Sequence, residues 1–480
     1  MKKIGLLLMA MLVFVFSSTA LTAKKQGWEL INWNSPRGIV NRLTGDEYIL
    51  PEGWEKATQG VKKISYYNSG GLAGDIATAI NIEKFAEKTG IRLEAIGVSA
   101  DAFDKVMAAL ISRDGSVPLL LANNPWIEMT ALSAGNNLVP LDFLYPPEVQ
   151  KMYNPNLKHL LYRNGHWMGS LEVSYFYGAI YYRPSWLEKA GVKVPTTYQE
   201  LYAAAKKVRE WAKSNVAQDA YGLCFGASAI EIPPLLQQLT YAQGGRLYEN
   251  GKYNLSSKEV KNTINYLVDA VTEDIASKEI MNYEQTEVAM VFGAGKAGFA
   301  LSLMTSYSPK FDTDYPAVKG DWAVLPPLKW DSSTPDEYRG AVICGNAGII
   351  NKHSKPNEIA AAMLFLDYLR SREAVAYELI VEDNGTFVPD FYDDSLAKLV
   401  DWKLVEKVAK QLGIGTPAKV DSISYKDIRT DIVTYGTNEA FTAQYPIIIR
   451  EATNQINQAM MGRVNTDRAI KNIMDFVDQY

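Results

Sequence analysis

Apolar residues recur along this chain at two periods. From residue 76 to 89, Ile76, Ile80, Ile82, Phe85 and Ala86 fall at helical spacing, and Gly90 supplies the stop. Residues 62–67 open a first strand, 91–98 alternate as a second, and 117–122 form a continuous apolar third. Between them 102–112 reads as a helix, and after the turn Asn123-Asn124-Pro125 a short helix ends at Gly135. Capping boxes at Thr197-Tyr198-Gln199-Glu200 and Ser256-Ser257-Lys258-Glu259 predict helices reaching about Ser214 and Thr272. Further helices follow Pro356 through Leu369 and span 467–477. Strands alternating with helices predict an α/β fold, its sheets covered on both faces.

The first residues read as an export address. Lys2 and Lys3 precede an apolar run from Ile4 to Phe16, then small and polar residues from Ser17 to Ala23, with cleavage expected after Ala20 or Ala23. Thirteen apolar residues make a helix of about 20 Å, short of a bilayer core of roughly 30 Å. No cysteine near the cleavage zone offers a lipid anchor, and no second run reaches spanning length. A soluble periplasmic protein is expected, with 1–23 as signal peptide and 24–60 as a wrapping extension.

Composition narrows the chemistry. The 480 residues, 47% apolar and 21% charged, predict two or three domains with full cores. A net charge of −5 leaves no basic surplus for nucleic acid. The three histidines, His159, His166 and His353, are not spaced for a shared metal site, and no metal or cofactor is expected. Gly293-Ala294-Gly295-Lys296-Ala297-Gly298 matches a dinucleotide fingerprint as text, but Phe299 to Leu303 behind it reads as a strand where a helix is required. No P-loop or nucleophile elbow occurs. Cys224 and Cys344 sit in short apolar runs, as two buried thiols or one bridge. Among Glu128, Glu172, Asp321 and Glu337 no pair declares itself for glycoside hydrolysis. The 28 Tyr, 10 Trp and 15 Phe suit a site for amphipathic ligands.

An ordered set of segments carries a resemblance. Phe85 to Ile91 (FAEKTGI), Ala134 to Asp142 (AGNNLVPLD), Ile180 to Pro184 (IYYRP) with Leu187 to Gly191 (LEKAG), Pro195 to Leu201 (PTTYQEL), Gly244-Gly245 with Glu249 to Lys252 (ENGK), and Phe292 to Ala300 (FGAGKAGFA) occur in series. Together they resemble the family 1 extracellular solute-binding proteins of ABC importers, over about four fifths of the chain. Three features depart from the family. Leu119 or Leu120 stands where it often has Asp, Glu172 falls near its usual proline, and Arg183 replaces its asparagine.

The resemblance implies an α/β, two-lobed periplasmic-binding-protein fold (type II), with the ligand cleft between lobes joined by hinge crossings. One lobe is expected from 61–178 plus 345–398, the other from 179–344 plus 399–480. It further implies a monomer that binds a carbohydrate, such as an oligosaccharide, and delivers it to the membrane subunits of an ABC permease. A secreted carbohydrate-active enzyme is the alternative. Trp126, after a turn at a strand end, and Tyr307, where the family often has a stacking tryptophan, are the expected stacking rings. Tyr175 and Tyr177 before the first crossing, Tyr241 and Arg339, Glu172 as a hydroxyl acceptor, and Asn68 and Ser69 at the cleft edge complete the expected site.

Overall fold

The computed structural model describes residues 25, 27–68, 75–97, 102–123, 125–303 and 307–480. At 68, 97, 102–103, 121–123, 125–127, 171–177, 303 and 309 only the backbone is described. Nine strands build two sheets: β1 (Lys63–Asn68), β2 (Arg92–Gly97), β3 (Leu119–Asn123), β4 (Ser170–Tyr177), β5 (Ala179–Tyr182), β6 (Tyr221–Cys224), β7 (Ala297–Leu303), β8 (Ala323–Leu325) and β9 (Val342–Ile350). The first sheet has the order β2-β1-β3-β9-β4 and the second β8-β5-β7-β6. A single residue, Gly178, separates β4 of one sheet from β5 of the other. Its φ of 142° and the approach of Gly340 O, 3.1 Å from where a Cβ would stand, suit glycine at this crossing.

The helices form where the periodicity places them. Asp75 caps the helix Ile76–Thr89 by accepting from Thr78 N, and Gly90 closes it with φ 72°. Thr197 caps Tyr198–Asn215, although Glu200 returns its bond to Thr196 N. Ser257, one residue later than expected, caps Lys258–Thr272. The glycine-rich stretch ends the helix Gln285–Gly293, turns at Gly295 (φ 71°) and enters β7. This is helix before strand, the reverse of a dinucleotide turn. No disulfide joins Cys224 and Cys344, which are buried in β6 and β9 of different sheets.

The extension is welded to the first lobe. Segments Gly27–Leu30 and Trp54–Ala57 pack on the helix Pro356–Leu369, and Trp33, Ile39, Leu43 and Tyr48 join its core. Arg42 and Arg370 both pair with the buried Asp367, at 3.0 and 2.8 Å, and the Tyr48 hydroxyl donates to the same carboxylate at 2.8 Å.

Two boundaries differ from expectation. β9 begins at Val342 and pairs with β4 from its first residue, so 342–344 belong to the first sheet. Residues 399–444 do not all follow the second lobe. The helix Trp402–Leu412 buries Val405, Val408 and Ala409 in the core that holds Phe85, and Lys407 pairs with Glu83 at 3.1 Å. The helix Lys426–Tyr435 buries Ile432 and Val433 in that core too. Tyr425 meets Trp322 of the second lobe at 5.3 Å, Glu439 accepts from Leu247 N and Tyr248 N, and from Phe441 and the helix Tyr445–Met460 the chain packs with the second lobe's helices. A third crossing therefore runs through about 436–444.

Candidate functional site at the converging strand ends

Register fixes where the two sheets open toward each other. Tyr177 pairs with Val342 beside the first crossing, and Asn123, ending β3, lies against Ala347 of β9. In the second sheet Leu303, ending β7, pairs with Ala179, and Leu325, ending β8, pairs with Ile180. The carboxyl ends of β1, β3, β7 and β8 thus point toward the crossings, and open α/β sheets bind ligands beyond such ends.

On the first lobe, Asn68 ends β1, paired with Gly97, and Trp126 occupies the first turn of the helix Pro125–Leu132 behind β3. Tyr175 and Tyr177 face Cys344 and Val342 in the ladder. Glu172 is the extra residue where the register slips between Asn346 and Ala347, a bulge of the kind that re-aims side chains near functional sites. The side chains of Asn68, Trp126, Glu172, Tyr175 and Tyr177, and all of Ser69, lie outside the described residues.

The second lobe supplies a described wall. Tyr307 is half-buried, meets Thr286 Oγ1 through its hydroxyl at 3.2 Å, and carries Lys310 Nζ at 5.2 Å from the ring centroid. Burial raises its phenol above the usual range. Behind it Gln285 donates to Glu231 at 2.5 Å and to Ser302 O at 3.2 Å. Burial pushes the Glu231 carboxyl up to about 7 despite that bond. Gly226 makes room for Glu231, whose Cγ is 2.7 Å from where a Cβ would be. Ser302 adopts φ 61° at the register slip between Leu301 and Leu303, a strained conformation for a non-glycine residue. Among the described residues, the buried hydroxyls of Ser228 and Ser302 meet no hydrogen-bond partner. A buried polar group left unpaired is costly, so these hydroxyls mark the wall as polar and under-satisfied.

Two expected residues sit otherwise. Tyr241 is 1% exposed, donates to Gln237 Oε1 at 3.2 Å, and is covered by the Arg246 guanidinium at 5.0 Å. It is buried within the second lobe, against Gln237 and Arg246. Arg339 lies in the second crossing, donating to Pro327 O at 3.2 Å and stacking over Tyr435 at 5.2 Å, so it ties the crossing to the helix Lys426–Tyr435. Sequence reading missed Ser228, Glu231, Gln285 and Ser302. A carboxylate in the Pro-rich stretch Ser228 to Pro234, just past a strand end, was the one available signal.

A family model described as bacterial extracellular solute-binding protein matches residues 70–376. The structure of maltose-bound MalE3 from T. maritima superposes with a TM-score of 0.67 at 19% identity, over 87% of this chain and 99% of that one. The sugar-binding protein MalE from Xanthomonas citri gives 0.65 at 18%, over 87% and 96%. A solute-binding protein from Agrobacterium radiobacter K84 in complex with ribitol gives 0.63 at 18%, over 87% and 98%. The shared feature at these identities is the fold, two α/β lobes.

Proposed function

Because the chain belongs to the bacterial extracellular solute-binding protein family, we propose that it captures a carbohydrate between its lobes and delivers it to an ABC permease without chemical conversion. The observation that carries this reading is the wall of the second lobe. A half-buried ring, Tyr307, stands with Glu231, Gln285 and the unpartnered hydroxyls of Ser228 and Ser302 at the carboxyl ends of strands. A sugar offers apolar C–H faces for a ring and hydroxyls that both donate and accept, which matches this mixture. The solved relatives named above hold maltose and ribitol, which supports a polyhydroxylated ligand.

Capture proceeds by hinge closure. Bound ligand adds contacts to both lobes only when they are closed, so it shifts the population toward that state. Trp126, Tyr175 and Tyr177 serve as further rings, Glu172, Asn68 and Ser69 as hydroxyl partners, and Arg339 as a ligand contact or a hinge tie. Export through cleavage after Ala20 or Ala23 places the monomeric protein in the periplasm.

A thermal-shift screen of residues 24–480 against mono- and oligosaccharides and polyols tests the proposal. A ligand at 100 times its dissociation constant stabilises by about 2.7 kcal/mol. A rise with one glycan series and no product formed supports capture. Product formation turns the assignment to an enzyme, and silence from every sugar rejects the carbohydrate assignment.

A further inference from the structure

A groove of about 470 Å³ on the second lobe runs between the helices Tyr198–Asn215 and Lys258–Thr272 and shares no residue with the wall at the strand ends. Asn262, Tyr266 and Asp269 line it from one face of the second helix, with Glu273 at that helix's cap. Gln199 and Tyr202 line it from the first helix. Contacts fix its two ends. Gln199 N donates to Trp330 O at 3.1 Å, which sets Asp331 beside the start of the first helix. Lys206, two turns further on, meets Glu273 at 2.7 Å. At 1.5 Å per residue the ends stand about 10 Å apart. Between them the rings of Tyr202 and Tyr266 meet edge to face at 5.1 Å, and Trp330 lies 5.7 Å from Tyr266.

The lining is rich in acceptors and holds no lysine, arginine or histidine among the described residues. Lys206 is taken by Glu273, and Lys329, beside Trp330, is held by Asp336 at 2.9 Å. The Asp269 carboxylate makes no hydrogen bond or ion pair among the described residues, and burial, then the charge of Glu273, raise its pKa. Asp331 keeps its charge, because Ser333 and Thr334 donate amides and hydroxyls to its Oδ1, while its Oδ2 takes no bond among the described residues. Tyr266 is 5% exposed, and its hydroxyl meets no hydrogen-bond partner among the described residues. A buried hydroxyl without a partner is rare enough to call for an explanation, and a ligand in the groove supplies one.

Acceptors without a facing cation suit a ligand that only donates. An ammonium group carries N–H donors and no acceptor, and it is attracted to aromatic rings. A sugar fits less well, since Trp330 and Tyr266 are buried and present no open plate to stack on. We propose that this groove binds a linear polyamine, with its terminal ammonium groups on Asp269 and Asp331 and an internal one on the Tyr266 hydroxyl. The half-buried Tyr202 ring covers the methylenes between them. A bound ammonium also offsets the repulsion between Asp269 and Glu273. The inference is independent of the carbohydrate reading.

Titration calorimetry on residues 24–480 with spermidine, at low and constant ionic strength, tests it. The wild type is expected to bind spermidine, and Asp269→Asn and Tyr266→Phe each to bind it about tenfold more weakly. Both variants keep the fold, since Asp269 is exposed and Tyr266→Phe retains the packed ring. Absence of spermidine binding, or equal binding by wild type and both variants, overturns the site. Equal affinity for a neutral diol of similar length overturns the ligand class, because hydroxyls and not ammonium groups would then be recognised. Spermidine bound at the same time as the sugar from the thermal screen supports a place outside the cleft, whereas displacement by that sugar overturns it. A sugar titration without spermidine reports on the capture function separately.

Discussion

Arg42 Nε donates to Asp367 Oδ2 at 3.0 Å, and both side chains are buried away from solvent. Burial alone would raise the Asp367 carboxyl, but the charges of Arg42 and Arg370 and the Tyr48 hydroxyl hold it below its usual range. Asp367→Asn leaves two guanidinium groups buried without their carboxylate, and the expected cost is about 3–5 kcal/mol. Urea denaturation measures it, and an unchanged midpoint would show that the extension is not held this way. The pH dependence follows in sign. A carboxyl lowered on folding contributes fully above its unfolded pKa, and that contribution disappears as pH falls through the folded value.

Glu231 has the opposite sign. Its carboxyl rises from an ordinary 4.5 to about 7 on folding, so the folded state retains a proton that the unfolded chain releases. Its contribution is therefore largest at acid pH and declines as pH climbs from about 4.5 to about 7, by about 1.4 kcal/mol per unit. Glu231→Gln is expected to remove that slope and to gain on the wild type at pH 8 relative to pH 5. Melting temperatures of both proteins across this range check it; parallel curves would contradict it.

Tyr307→Ala is expected to weaken carbohydrate binding at least tenfold, about 1.4 kcal/mol. Its half-buried ring at the end of β7 leaves the fold intact when truncated. Calorimetry with the sugar found in the thermal screen reads the loss, and full affinity in a folded variant would remove Tyr307 from the site.

The third crossing depends on Asn154. Its side-chain amide is shared among Val433 O at 2.7 Å and Thr434 O and Gly436 O at 3.0 Å. Asn154→Ala leaves these carbonyls short of a donor and is expected to cost about 1–3 kcal/mol. Amide exchange in 433–441 should rise with it, whereas unaltered protection there would place the restraint elsewhere.

Much of the strand and helix order is legible in the chain, because caps such as Thr197 and stops such as Gly90 act locally. What the sequence hides is non-local. The helix Trp402–Leu412 shows an amphipathic face, but nothing near it reveals that it packs on the helix Ile76–Thr89, more than three hundred residues earlier. Tyr307 was singled out through the resemblance, and the structure places its ring half-buried at the start of the helix Ser308–Thr313. The positive φ of Ser302 was not legible, because a serine inside an apolar strand carries no mark of it. The burial of Tyr241 was not legible either, since aromatic character alone does not tell an exposed ring from a buried one.

The chain ends are divided between the lobes. The extension is pinned to the first lobe through Arg42 and Tyr48, and the final helix, Thr466–Val477, packs against the second through Ala469 and Ile473. A rotation about the crossings that swings one lobe against the other is expected to change the separation of residues 27 and 480. A donor dye at one end and an acceptor at the other would make the polypeptide its own calliper, reporting opening and closing by energy transfer with every ligand-facing residue untouched.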